Sequence, residues 1–270
     1  MVVLKTSGEL AKMKKAGSLA AQALRAGGAA VRPGVTTGEI DRIIKHYIVS
    51  RGATPSFLGY GGFPGEEIIR SYGCIPSFKN YCGYPASICV SVNNEVVHGI
   101  PSKKRVIQEG DIVSIDVGAL VDGYHGDTAA TFAAGAVSAQ AQALMDATRE
   151  SLLAAIAVAK PGARIGDIGH AVQSYVEARG YGVVREYVGH GVGRKLHEEP
   201  EVPNYGKPGH GVRLTPGMVI AIEPMITEHS PALHVLDDDW TVVTNDHGLA
   251  AHFEHTIAIT ADGPVILTLP

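Results

Sequence analysis

Two aspartates on a short β-hairpin are the first pair in the chain whose spacing suggests chemistry. The stretch Asp111–Phe132, DIVSIDVGALVDGYHGDTAATF, is rich in β-formers (Ile112, Val113, Ile115, Val117, Leu120, Val121) and carries the turn pair Asp122-Gly123. With those two residues as the loop, Val121 falls opposite Tyr124, Gly118 opposite Asp127, and Asp116 opposite Ala129. Asp116 and Asp127 are then diagonal neighbours on one face, roughly 7–8 Å apart at the backbone. Two unpaired carboxylates on an apolar surface repel each other and resist burial, and a divalent cation turns that repulsion into attraction. The other reading puts one Asp on a solvated edge and leaves the other to cap a turn. The hairpin alone supports both equally.

Further polar residues stand in unexpected settings downstream. REYVGHGVGRKLHEEP, Arg185–Pro200, sets His190 and His197 among glycines, which let backbone approach closely. Its Gly189, Gly191 and Gly193 are too weak a signal for a dinucleotide loop, because no βαβ unit with a fitting acidic residue follows. The apolar strand LTPGMVIAIEPMI, Leu214–Ile226, ends in Glu223-Pro224, where the proline holds Glu223 extended. In Asp239–Gly263, read as a second hairpin, Phe253, His255, Ile257 and Ile259 face one way, and Glu254 starts the more polar face. His98, before Gly-Ile-Pro, reads on its own as a loop residue. Two Asp, two Glu and one or two His on strands and Gly-rich turns suit paired ions such as Mn, Fe, Co or Zn. Ions about 3.5–4 Å apart generate hydroxide at neutral pH and polarise a carbonyl, which is hydrolytic chemistry.

These groups need a scaffold. A first helix is expected from Gly8 to Gly27, capped by Ser7, and a second from Thr37 with Ile40, Ile43, Ile44 and Tyr47 on its apolar side. Residues 138–160 read as an Ala-rich helix, and Ile165–Gly180 as another that stops at glycine. Pro33-Gly34 and Pro161-Gly162 fall at matching points, so each half reads as two helices and then strands. The pattern predicts an internally duplicated α+β domain spanning 1–270, with halves of about 1–135 and 136–270. A second repetition sits inside the first half. PSFLGYGGFP at Pro55–Pro64 returns as PSFKNYCGYP at Pro76–Pro85, a constant offset of 21 residues. Two copies are too few for a solenoid. The duplication, within about 53–85, reads as an aromatic pocket-lining loop of which one copy is surplus. The second copy runs into the strand Ser87–Val92 and is the one expected at the site.

Bulk composition narrows the class. The chain has 270 residues, 45% hydrophobic and 19% charged, enough for a large core. A net charge of −4 without a basic block argues against nucleic acid. No apolar run reaches the ~18 residues of a membrane span, and the N-terminus lacks a signal-peptide core. Three cysteines without CxxC indicate neither a disulfide scaffold nor a zinc finger, which fits the cytoplasm.

The order Asp116, Asp127, His190, Glu223, Glu254, in the contexts IDVGALVDGYHGDTA, GHGVGRKLHEEP, IEPM and FEHTI, strongly resembles the methionine aminopeptidases. The resemblance runs from about Leu4 to the C-terminus. It implies the pita-bread α+β fold, with pseudo-twofold halves and a curved antiparallel sheet covered by helices. It implies two divalent ions per chain (Co, Mn, Fe, Zn or Ni). Asp116 would chelate one, Asp127 and Glu254 would bridge both, and His190 and Glu223 would complete the second. A bridging water would attack the peptide carbonyl. His98 and His197 match the two non-ligand histidines that contact the substrate amine or amide and the scissile carbonyl, and Glu223 matches the proton shuttle. The methionine pocket would be Phe78, Tyr81, Tyr84, Cys89, Leu196 and Trp240, a lining that suits a thioether. With no zinc-binding extension and only 26 positions between His197 and Glu223, the chain resembles the short bacterial type 1 form. Expected partners are the N-terminal Met of nascent polypeptides and, transiently, the ribosome, with no nucleic acid or membrane. A monomer is expected.

The duplication departs from the family pattern. It leaves Phe57, Tyr60 and Phe63 competing with Phe78, Tyr81 and Tyr84 for the pocket. Phe78 and Leu196 also stand where Cys and Phe are common. Two other functions compete: an X-Pro aminopeptidase or prolidase, which usually carries an extra N-terminal domain, and a non-catalytic binding protein on the same fold, which generally has lost ligands.

Overall fold

The computed structural model describes residues 2–57 and 84–270. Four helices are described: α1 (Ser7–Gly28), α2 (Thr37–Val49), α3 (Ala139–Val158) and α4 (Ile165–Glu177). The first two begin in reciprocal capping boxes. Thr6 accepts from the Glu9 amide while the Glu9 carboxylate takes the Thr6 amide, and Thr36 and Glu39 repeat the arrangement. The cap of α1 is therefore Thr6, one residue before the expected Ser7. Ser138 caps α3 through the Ala141 amide.

The strands are β1 (Thr54–Pro55), β2 (Cys89–Val92), β3 (Glu95–Val97), β4 (Ile112–Val121), β5 (Tyr124–Ala133), β6 (Gly182–Val183), β7 (Gly189–Gly191) and β8 (Glu198–Val202). They continue as β9 (Val219–Ile222), β10 (Met225–Thr227), β11 (Leu233–Val235), β12 (Val242–Thr244), β13 (Ala250–His252), β14 (Glu254–Thr260) and β15 (Gly263–Ile266). Nine of them form one antiparallel sheet along the path β1-β4-β5-β14-β9-β7-β8, with β2 on β4 and β15 on β14. The β4–β5 hairpin has the predicted register, Val121 opposite Tyr124 and Asp116 opposite Ala129. Its turn residues Asp122 and Gly123 both have positive φ, 51° and 78°, the type I′ geometry that matches strand twist.

The helices cover one face of this sheet. Ala20, Leu24, Ile40 and Ile44 pack on Val113, Ile115 and Val117, while Leu144, Leu152, Ile168 and Val172 pack on Ile220, Ile257 and Ile259. The Pro-Gly turns before α2 and α4 are used alike. Gly34 N–H donates to Ile107 and Gly38 to Ser102; Gly162 donates to Leu214 and Gly166 to His210.

The expected second hairpin over Asp239–Gly263 does not form. β12 pairs with β11 and β3, β13 with β10, and β14 joins the large sheet, where Gly263 starts β15 beside it. The chain leaves one sheet at His252 and enters another at Glu254. The apolar stretch of Leu214–Ile226 likewise splits at Glu223-Pro224 into β9 and β10.

Candidate metal centre

The face away from the described helices gathers the acidic residues, through strand register. Cys89 on β2 pairs with Asp116 on β4, Asp116 with Ala129 on β5, and Ala129 with Glu254 on β14. Residues directly opposite share a face, so Cys89, Asp116 and Glu254 point the same way, and Asp127 joins them two residues from Ala129. On the far side of β14, His255 pairs with Ile222, so the next step sets Glu254 opposite Glu223. His190 sits at the centre of β7, whose Gly191 pairs with Ile220 of β9.

Glycine brings β7 this close. A Cβ on Gly189 would collide with the Ala221 carbonyl oxygen, and one on Gly191 with that of Glu199. His190 Nδ1 lies 2.9 Å from the Gly191 carbonyl oxygen. A carbonyl only accepts, so Nδ1 carries the proton and Nε2 keeps its lone pair. That Nε2 lies 3.8 Å from Asp127 Oδ2 and 3.6 Å from Glu223 Oε1.

Asp116, Asp127, His190, Glu223 and Glu254 all line one cavity of about 220 Å³. Donor atoms of Asp127, His190 and Glu254 lie within 4.8 Å of one another. Among the described residues, no lysine or arginine forms an ion pair with these carboxylates. Asp116 Oδ1, Asp127 Oδ1 and Glu254 Oε1 are buried without a hydrogen-bond partner among the described residues. Burial first, and then mutual repulsion, pushes Asp116 and Glu254 well above the usual carboxylate range; burial and the neighbouring Asp127 do the same to Glu223. Burial raises Asp127 too. Orphaned acidic oxygens around an imidazole lone pair fit a divalent cation and little else.

His98 and His197 line the same cavity. His98 has a left-handed backbone, φ 60°, and its ring meets Tyr187 at 5.5 Å and Trp240 at 6.3 Å. The rings of His197 and His190 are 4.2 Å apart. Burial lowers His98 and His190 to about 4, and desolvation with the neighbouring imidazoles lowers the more exposed His197, so all three are neutral at pH 7.

The apolar wall contains Phe57, Tyr84, Cys89 and Trp240. Tyr84 meets Phe57 at 6.4 Å and Trp240 at 5.1 Å, both edge-on. Each copy of the duplicated segment thus contributes one of these rings, Phe57 from the first and Tyr84 from the second. Phe78 and Tyr81, with Tyr60 and Phe63, lie outside the described residues. Leu196 is buried in one apolar cluster with Tyr84, Ala86 and Cys89, and is not among the residues lining this cavity. Val97, Tyr187, Met225 and His252 line it without having been foreseen. Tyr187 gave a weak sign, three positions before His190. His252 stands two before Glu254, the spacing that shares a strand face.

The match to known proteins settles the family. The model of metallopeptidase family M24 matches residues 11–261. The chain is 48% identical over 269 residues to a methionine aminopeptidase of Clostridium acetobutylicum, covering 100% of this chain and 99% of the relative. The chain belongs to the methionine aminopeptidases of metallopeptidase family M24. The crystal structure of a methionine aminopeptidase from Thermotoga maritima superposes with a TM-score of 0.91 at 45% identity, covering all of both chains. The prolidase of Pyrococcus horikoshii gives 0.73 at 25% identity, and the chain covers 64% of it. The fold is the pita-bread fold of this family: a curled antiparallel sheet with helices. Among the described residues no helix is long and apolar enough to cross a membrane.

Proposed function

We propose that the chain is a metal-dependent aminopeptidase that removes N-terminal methionine from nascent polypeptides when the second residue is small. One observation carries this: two buried carboxylates (Asp127, Glu254), two half-buried ones (Asp116, Glu223) and the Nε2 lone pair of His190 share a cavity with an aromatic and sulfur wall. In this reading two divalent ions, from among Co, Mn, Fe, Zn and Ni, are held as follows. Asp116 would hold one, Asp127 and Glu254 would serve both, and His190 and Glu223 would hold the second. Bound there, the ions supply Lewis acidity that activates water and polarises the scissile carbonyl.

The remaining steps fall to side chains. Phe57, Tyr84, Cys89 and Trp240 take the methionine side chain, where a thioether gains contact with ring edges. Leu196 is buried in one apolar cluster with Tyr84 and Cys89 of that wall. His98 and His197, neutral at pH 7, offer ring nitrogens: an unprotonated one accepts from the substrate amide N–H, and an N–H donates to the carbonyl oxygen as it gains charge. Glu223 accepts a proton from the attacking water and returns it to the leaving amine. The whole chain acts as one catalytic domain of two halves, about 1–135 and 136–270, with the parallel turn hydrogen bonds of Gly34 and Gly162 in support. Its setting is the cytoplasm, as a monomer that meets nascent chains at the ribosome. The prolidase likeness does not favour an X-Pro reading, because it is weaker in both identity and coverage.

The test is hydrolysis of Met-Ala-Ser and Ala-Pro peptides. Met-Ala-Ser cleavage is expected to stop with chelator and to return with Mn, Co or Fe. Activity indifferent to chelation, or turnover of Ala-Pro alone, would overturn the proposal.

A further inference from the structure

The Glu223 carboxylate lies between two imidazoles. Oε1 is 3.6 Å from His190 Nε2, and Oε2 is 3.7 Å from His252 Nε2. His252 is 2% exposed and lines the cavity, and its Nε2 is buried without a hydrogen-bond partner among the described residues. A ring nitrogen left so in a native core calls for an explanation.

Both sides of this contact are held. His252 N–H donates to Thr131 Oγ1 at 3.0 Å, and the same hydroxyl donates to the His252 carbonyl at 2.9 Å. Met225 pairs with His252 from the other side. Asn204 Nδ2 donates to the Glu223 carbonyl at 2.9 Å, just before the rigid Pro224. Side-chain rotation alone can therefore change the distance, and closing by roughly 0.8 Å gives an ordinary N–H···O bond. His252 is not one of the three residues, Asp127, His190 and Glu254, whose donor atoms lie mutually within 4.8 Å.

We propose that His252 is a positioning residue: its Nε2–H donates to Glu223 Oε2, so that Oε1 is turned toward His190 and the ion the two would share. This rests on the metal-centre reading above. With one oxygen occupied, Glu223 presents a single oxygen to the ion. Without the donor it is free to rotate and lose both its place as ligand and its aim as proton carrier.

The experiment compares wild type, His252→Gln and His252→Met. Glutamine sets an amide N–H near the place of Nε2, whereas methionine fills the space without a donor. Co(II) binding to metal-free protein is followed by titration calorimetry and visible absorption, and Met-Ala-Ser turnover is measured alongside. H252M is expected to bind the ion of the Glu223 site about ten- to a hundred-fold more weakly, with altered Co(II) bands and lower kcat at nearly unchanged KM. H252Q is expected to restore affinity and spectrum. Separately, 15N-histidine NMR of the Zn-loaded wild type should show His252 protonated at Nε2, the signal being assigned by its loss in H252Q. That measurement decides the matter even if H252M does not fold. Unchanged binding in H252M, equal loss in both variants, or a proton on Nδ1 alone would overturn the proposal while the metal-centre reading stands. Wild type that takes up no Co(II) would remove both.

Discussion

The Tyr84 hydroxyl donates to the Gly99 carbonyl at 2.8 Å, one residue beyond His98, and lies 3.0 Å from the Ile88 carbonyl. One side chain thus lines the apolar wall and also pins the loop that carries a candidate catalytic histidine. Tyr84→Phe keeps the ring but removes a donor from two carbonyls, of which Gly99 keeps the Val90 N–H, a loss of about 1 kcal/mol or more. The expected result is a lower Tm and a reduced kcat, with KM for Met-Ala-Ser little changed. A fall in KM-related binding alone would mean that the hydroxyl does not position His98.

Asp127 is central to the acidic cluster. Asp127→Ala removes a carboxylate that contributes to the rise of three others. Turnover is expected to fall by orders of magnitude. The metal-free variant should nevertheless melt no lower than metal-free wild type above neutral pH, because one buried like charge is gone. Circular-dichroism melts and metal analysis of the same preparation check this. Wild-type rates would contradict the assignment.

Metal removal should also change how stability depends on pH. Burial holds the folded His98, His190 and His252 at about 3–4, and desolvation with the neighbouring imidazoles holds His197 low, so above the ordinary histidine value of 6.5 they are neutral both folded and unfolded. The carboxyls differ between states there. Folded Asp127 is raised to about 7 and Asp116, Glu223 and Glu254 well above their ordinary values, whereas the unfolded chain has already released those protons. The folded state binds more protons, so stability falls as pH rises from about 6.5 through 7 and beyond. Calorimetry of chelated protein between about pH 6.5 and 8.5 should show Tm falling. Protein loaded with Mn or Co should not show that fall, because cations replace the protons.

Gly191 is a steric requirement. Gly191→Ala would drive its Cβ into the Glu199 carbonyl oxygen and push β7 from β8. The carbonyl that fixes the His190 tautomer belongs to this residue. Lower Tm together with at least tenfold weaker metal binding is expected, consistent with loss of an outer-shell partner. Normal metal affinity at reduced Tm would separate the two effects.

Much of this was fixed by local chemistry. Asp122-Gly123 dictated a two-residue turn, and that turn set the register of Asp116 against Ala129 without reference to the remaining chain. The cap-to-Glu spacings at Thr6–Glu9 and Thr36–Glu39 and the apolar rows of α1 to α4 were equally local. The ligand order was legible as a resemblance, because residue type and context survive in the sequence even when distance does not.

What only tertiary structure decided are the relations between distant strands. Alternation in β14 shows that Glu254 leaves the apolar face, but not that β5 pairs with it and aligns Glu254 with Asp116. The Asp239–Gly263 stretch looked like a single hairpin because its β-formers are nearly continuous, yet three sheets compete for it and the break falls between His252 and Glu254. That break is what turns His252 onto Glu223. Leu196 shows the same division: apolar type predicts its burial, while its packing with Tyr84, Ala86 and Cys89 depends on which neighbours arrive. Sequence sets the period and the chemistry of each strand; long-range pairing sets which oxygens and nitrogens end up facing one another.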